Sequence, residues 1–180
     1  MERDIKKVLL SEAQIKNRIA ELGRELMADY ADKNPVFVGV LKGVVVFYAD
    51  MIRAFNAPCQ LDFMWISSYK GTSSTGNMLV RQDVSADLKG RHVVILEDIL
   101  DSGRSLQFTY DHLVSKGAAS VRICTLLDKP DGRVPGIKIQ ADYTGFTVPD
   151  EFVVGYGLDY NEKYRNLPYV GILKPEVYTK

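Results

Sequence analysis

The chain has 180 residues, 46% of them hydrophobic, with 23 Lys plus Arg against 23 Asp plus Glu. That length suits a single domain with a core needing no disulfide or structural metal, and the balanced charge supplies no global field to recruit nucleic acid or an anionic membrane. Cys59 and Cys124 lack CxxC spacing and His92 and His112 are scattered, so no zinc-site pattern is present and both cysteines are expected to be reduced and buried.

Ser11 and Gln14 have capping-box spacing ahead of Ile15, Ile19, Leu22 and Leu26, which predicts an amphipathic helix. Pro35 and the run Val36 to Leu41 predict a buried strand, and Val44 to Phe55 a helix turning Val45, Tyr48, Ala49 and Ile52 to the core. Leu61 to Ile66 reads as the next strand. From Ser67 to Asn77 nine of eleven residues are Gly, Ser, Thr or Asn, a composition that predicts a loop. Met78 to Asp83 follows as a returning strand and Arg91 to Asp98 as a central one. Leu106, Tyr110, Leu113 and Val114 repeat at helical spacing, and Gly117 suits the left-handed residue after a helix end. Val121 to Leu127 is the next apolar strand, with shorter ones expected at Ile137 to Ala141, Phe152 to Tyr156 and Tyr169 to Leu173. No apolar run approaches about 18 residues and the start MERDIKK has no signal-peptide core, so a cytoplasmic location is expected.

Alternating strands and helices predict an α/β fold: a mostly parallel twisted sheet flanked by helices on both faces. Ligands of such sheets bind beyond the carboxyl ends of the strands, where strand order reverses. The most informative stretch, VVILEDILDSGRS from Val93 to Ser105, belongs there. Four apolar residues lead into Glu97 and Asp98, which places two carboxylates at the end of a buried strand. Asp101, Ser102, Gly103, Arg104 and Ser105 then combine turn formers and hydroxyls just before a helix, so several N–H groups converge in a cradle suited to a phosphate. A plain helix cap at Asp101 and Ser102 is the simpler alternative. The GxxxxGK spacing of a P-loop is absent, which disfavours nucleoside triphosphate hydrolysis.

The strand, acidic pair and phosphate loop resemble the phosphoribosyl diphosphate (PRPP) signature of type I phosphoribosyltransferases. VLKG with Leu41, Lys42 and Gly43, SSYKG with Ser68 and Tyr69, LLDKP with Lys129, and PDEFVVGYGLDYNEKYR from Pro149 to Arg165 are similar to hypoxanthine-guanine phosphoribosyltransferase motifs. The resemblance implies a single domain with a core over about residues 30 to 140 and a small base-binding hood from the N-terminal segment and about 141 to 180. It implies transfer of the 5-phosphoribosyl group from PRPP to hypoxanthine or guanine, with Mg²⁺, in purine salvage. A xanthine- or guanine-preferring enzyme is the alternative within the class. A PRPP-sensing regulator is the alternative outside it, although no basic stripe or additional helix-turn-helix segment supports nucleic-acid binding.

By the same resemblance, Asp101 to Ser105 hold the 5′-phosphate, and Asp101 exchanges a proton with purine N7. A free Asp titrates at about 3.9, so that role calls for a carboxyl raised by burial or by Glu97 and Asp98. Glu97 and Asp98 accept from the ribose hydroxyls or bind Mg²⁺, and Asp159 holds a second Mg²⁺. Lys42, Gly43 and Arg165 meet pyrophosphate, and the family often has a cis peptide between the residues matching Leu41 and Lys42. Ser68 and Tyr69 belong to a lid. Lys129 donates to the purine 6-oxo group, Phe152 stacks on the base, and backbone groups of Val153 and Asp159 read its edge. Ser102, Arg104 and Ser105 replace the commoner Thr, Lys and Thr, keeping the hydroxyls and the cation. A homodimer or homotetramer is expected from the family.

Overall fold

The computed structural model describes residues 1–68 and 78–179, with Ser68 described in its backbone only. The expected lid segment, including Tyr69 and the Ser68 side chain, therefore lies outside the described residues. The first strand, β1 (Ile5–Leu10), precedes α1 (Glu12–Tyr30). The Ser11 side chain accepts from the Gln14 N–H at 3.3 Å while the Gln14 side chain accepts from the Ser11 N–H at 2.9 Å, the reciprocal cap expected from the spacing. Ser11→Ala should lower stability by about 1 kcal/mol, about 2–4 °C in thermal melting, and leave turnover unchanged.

After α1 come β2 (Val36–Leu41), α2 (Val45–Ala54), β3 (Gln60–Ser68), β4 (Met78–Gln82) and β5 (His92–Leu100). Then follow α3 (Arg104–Ser115), β6 (Ser120–Asp128), β7 (Tyr143–Thr147), β8 (Val153–Val154), β9 (Val170–Leu173) and the short α4 (Pro175–Tyr178). Six strands form the main sheet in the order β4-β3-β2-β5-β6-β7, and only β4 runs antiparallel. The chain steps outward from β2 to β3 on one side and from β5 to β7 on the other. The loops after β2 and β5 therefore flank the switch point where such sheets bind ligands.

α1 and α2 cover one face through Leu22, Leu26, Phe47 and Met51. α3 covers the other through Leu106 and Leu113, packed on Val93, Ile95 and Ile123. A second sheet of three antiparallel strands, β1-β9-β8, lies within the stretches expected to make the hood.

The structure corrects several sequence expectations. α2 buries Val44, Phe47, Tyr48, Met51 and Phe55, whereas Val45 and Ala49 are exposed and Ile52 is half-buried. The helix is apolar on most sides, so its periodicity singles out no one face, and of the face read from the sequence only Tyr48 is buried. In α3, Thr109 is buried and Val114 is 45% exposed. Ile137 to Ala141 is not a strand: Ile137 and Ile139 pack over the backbone of Gly103 instead, and β7 forms at Tyr143–Thr147. β7 pairs with β6 in the main sheet, although its residues fall in the stretch assigned to the hood. β1 was not anticipated, because Lys6 and Lys7 break its apolar pattern and its partner β9 lies at the other end of the chain. Cys124 is buried, but Cys59 is partly exposed; both are free thiols.

Candidate active site

β5 does not end at its acidic pair. Ile99 and Leu100 continue the ladder against Leu127 and Asp128 of β6. Glu97 and Asp98 thus sit within the strand, two residues before the turn, with their side chains close enough to interact directly. One Glu97 oxygen is buried without a hydrogen-bond partner. Burial first, then the neighbouring Asp98 charge, pushes the Glu97 carboxyl well above the ordinary carboxylate range. Burial also raises Asp98, opposed by the Ile99 N–H at 2.8 Å and by the positive charge of Arg165.

Two adjacent carboxylates with an unsatisfied oxygen are the hard donors that Mg²⁺ takes, usually one or two at a time beside substrate oxygens and water. Asp159 fits a metal less well. It is ion-paired with Arg165 at 2.9 Å and accepts from the Glu162 N–H at 2.9 Å. Among the described residues no group of three or more His, Cys, Asp or Glu converges on a metal-sized site, so Asp159 does not join Glu97 and Asp98 in one cluster.

A raised folded pKa means that Glu97 holds its proton more tightly folded than unfolded. Its protonation therefore contributes stability below the unfolded value of about 4.3, and that contribution is lost as pH rises through the higher folded value. Glu97→Gln removes the loss. With a chelator present, its melting temperature should exceed that of the wild type by at least about 3 °C near pH 8, and the gap should close toward about pH 5.

The turn after β5 joins the residues expected to cradle a phosphate to Lys129. Gly103, at φ 80°, starts α3 in the left-handed region, where residues with a Cβ are strained. Among the described residues the Ser102 and Gly103 N–H groups have no protein acceptor, and the first turn of α3 adds its own free N–H groups. Arg104 is exposed. Asp101 is not buried beside Glu97 and Asp98, as the acid-base role called for. Its side chain is 46% exposed and pairs with Lys129 at 2.9 Å.

Lys129 is buried to 9% exposure and also reaches Asp150 at 3.3 Å. Burial alone would lower its pKa, but Asp101 and Asp150 outweigh it and hold the ammonium above the usual lysine range. Lys129 is thus a fixed cation whose remaining donor capacity points to an acceptor.

Arg133 was not singled out from the sequence. Its Nη1 donates to the carbonyls of Leu100 at 2.5 Å, Asp101 at 2.6 Å and Lys129 at 3.1 Å, and Nη2 pairs with Asp128. One guanidinium therefore ties the phosphate turn to the lysine turn. A cation four residues after Lys129 was visible in the sequence, but its partner carbonyls were not.

On the other side of the switch point, the Leu41–Lys42 peptide bond is cis. A Cβ on Gly43 would lie 1.8 Å from Asp98 Oδ2, so only glycine lets this loop meet the β5 carboxylate. Lys42 and Arg165 are linked through Glu162, at 3.3 and 3.4 Å. Arg165 also donates to the Gly157 carbonyl at 2.8 Å, and its Nε is buried without a partner. Val153 is buried in β8, opposite Ile172, while Phe152 is 37% exposed. Lys42, Gly43, Asp98, Asp159 and Arg165 are thereby connected, as are Asp101, Lys129 and Asp150.

An N–H-rich turn and paired carboxylates at the switch point of a mostly parallel sheet fit the phosphoribosyltransferase class. Residues 7–161 match the phosphoribosyl transferase domain. The chain is 53% identical over 180 residues to the hypoxanthine-guanine phosphoribosyltransferase of Streptococcus pneumoniae, covering 99% of each. It superposes on the crystal structure of a hypoxanthine phosphoribosyltransferase from Staphylococcus aureus with a TM-score of 0.94 at 48% identity, covering 100% of this chain and 97% of that one. A solved hypoxanthine-guanine-xanthine phosphoribosyltransferase aligns at 37% identity with a TM-score of 0.87, over 96% of this chain and 99% of that one. The chain belongs to the hypoxanthine-guanine phosphoribosyltransferase family. Among the described residues no helix is long and apolar enough to cross a membrane.

Proposed function

We propose that the protein transfers the 5-phosphoribosyl group of PRPP to N9 of a 6-oxopurine, hypoxanthine or guanine, releasing pyrophosphate in the cytoplasm. The observation that carries this reading is the placement of Lys129, a buried cation fixed by Asp101 and Asp150, beside the N–H cradle of Ser102 and Gly103.

In this reading the 5′-phosphate accepts from the cradle, each hydrogen bond to its charge contributing about 1.5–3 kcal/mol. Glu97 and Asp98 accept from the ribose hydroxyls and would hold Mg²⁺, with Asp159 available to a second ion once its bond to Arg165 is shared. When bound, the metal neutralises charge on the diphosphate. The Lys42 and Gly43 backbone and the Arg165 guanidinium take the leaving pyrophosphate. Phe152 stacks on the base, Val153 and Asp159 offer backbone groups to its edge, and Asp101 exchanges the proton at N7.

Lys129 supplies selection. It donates to a 6-oxo oxygen, whereas the 6-amino group of adenine would leave a buried ammonium facing a donor. Self-association into a dimer or tetramer belongs to the reading, supported by the exposed apolar side chains Leu61 and Trp65 on β3. Sedimentation velocity tests it.

The decisive assay incubates the protein with PRPP and Mg²⁺ and with hypoxanthine, guanine, xanthine or adenine separately, and follows nucleotide and pyrophosphate formation. Hypoxanthine or guanine should react at least about a hundredfold faster than adenine, as a site built to hydrogen-bond one group rejects its mismatch. Equal use of adenine, or no nucleotide from any 6-oxopurine, would overturn the proposal. Rates with xanthine report how the pocket treats the 2-substituent.

A further inference from the structure

Phe152 stands next to β8 and keeps 37% of its surface exposed, but its ring is held on two sides. Tyr178, from α4, lies nearly parallel to it, with centroids 4.8 Å apart and planes inclined by 21°. Tyr160 meets it edge-on at 5.6 Å and 90°, and the two tyrosines touch each other edge-on at 6.5 Å. Three rings from three separated segments thus close on one another.

Their side of the hood is defined. The Tyr160 and Tyr178 rings that hold Phe152 place it on the same side as Val154. Val154 belongs to the small hood cluster against which Tyr160 and Tyr178 pack. Val153 points the opposite way, into the main core shared with α1 and α2. Tyr178 therefore approaches Phe152 from the hood, whereas Asp101 and Lys129 stand at the edge of the main sheet.

We propose that Tyr178 is a positioning residue for the purine. It forms the outer layer of a three-ring stack, base on Phe152 on Tyr178, and Tyr160 locks the middle ring from its edge. The inference rests on the reading of Phe152 as the residue that stacks on the base. A half-exposed phenylalanine without backing would change rotamer and lose freedom when a base binds, and a ring already held in plane avoids that loss. The geometry falls in the offset range where aromatic pairs attract beyond simple area burial. Among the described residues neither the Tyr160 nor the Tyr178 hydroxyl makes a hydrogen bond, so the ring, not the hydroxyl, carries the effect.

Steady-state kinetics test this with the intact protein. Tyr178→Ala should raise the KM for hypoxanthine by about three- to tenfold while the KM for PRPP and kcat stay within about twofold, and Tyr178→Phe should restore the wild-type KM. Tyr178→Leu, which keeps apolar bulk without a ring, should also raise the KM for the base and serves if the alanine variant folds poorly. A loss of kcat alone, or a parallel rise in both KM values, would mark general destabilisation and overturn the proposal. An unchanged KM for the base would overturn it too. A lowered one would place Tyr178 in the seat of the base and have the same consequence. Wild-type protein in the same assay separates the two levels: absence of turnover there defeats the functional reading itself.

Discussion

On the proposed role of Asp101 at N7, which its pairing with Lys129 would have to support in place of burial, Asp101→Asn should reduce kcat by at least about a hundredfold, because general acid-base catalysis typically contributes about 10²–10⁴ and an amide cannot exchange that proton. The substitution keeps the shape of the side chain and leaves Lys129 paired with Asp150, so the turn should persist. The cradle donates through backbone N–H groups that an Asp101 substitution does not remove, so the KM for PRPP should change by no more than about threefold. Initial rates with varied PRPP and hypoxanthine make the comparison. Turnover within about fivefold of wild type would reduce Asp101 to a helix-start residue that happens to pair with Lys129.

The second large effect is expected at Gly43→Ala. The added methyl carbon would fall 1.8 Å from Asp98 Oδ2 and 3.0 Å from its Cγ, distances that force a displacement. If the Asp98 carboxylate yields, it leaves the position held by the Ile99 N–H and, in the proposed reading, moves away from the ribose. If the loop yields, the Lys42 and Gly43 N–H groups leave the place proposed for the pyrophosphate. Either route strikes PRPP and spares the base pocket. If strain of the size that overpacking imposes, about 1–3 kcal/mol, falls on PRPP binding in the transition state, kcat/KM for PRPP drops by about five- to 160-fold. The KM for hypoxanthine should stay within about twofold. Isothermal titration with PRPP and Mg²⁺ gives an independent reading of the same loss, and unaltered PRPP affinity would show that the loop and Asp98 do not share a ligand.

These two expectations differ in where they come from. Asp101 was legible from its neighbours in the chain, since a buried apolar run, two carboxylates and a turn rich in small residues lie within thirteen positions. The importance of Gly43 as a contact was not legible, because Asp98 is 55 residues away and meets it only where β2 and β5 lie side by side. The same holds for Arg133, whose acceptors are backbone carbonyls on two turns, and for Tyr178, which reaches Phe152 from 26 residues downstream.

Local signals sufficed for the Ser11 cap, for the buried strands at Val36–Leu41 and Ser120–Asp128, and for the left-handed Gly117 at φ 80°. Each depends on side-chain spacing along a few residues, and the backbone obeys it whatever surrounds the segment. The α/β class followed from the alternation of such segments. The buried face of α2, the packing of Ile137 and Ile139 in place of a strand, and the β1-β9-β8 sheet depended on partners distant in the chain. A helix apolar on most sides has no face of its own to prefer, and a strand carrying Lys6 and Lys7 is held by its ladder, not by its pattern. The chemistry at the site divides in the same way. Residue types and spacing along the chain determined that a turn rich in free N–H groups follows paired carboxylates. Tertiary packing alone decided that Lys129 is buried between Asp101 and Asp150 and that Glu97 keeps an unsatisfied oxygen, because desolvation and ion pairing act through space.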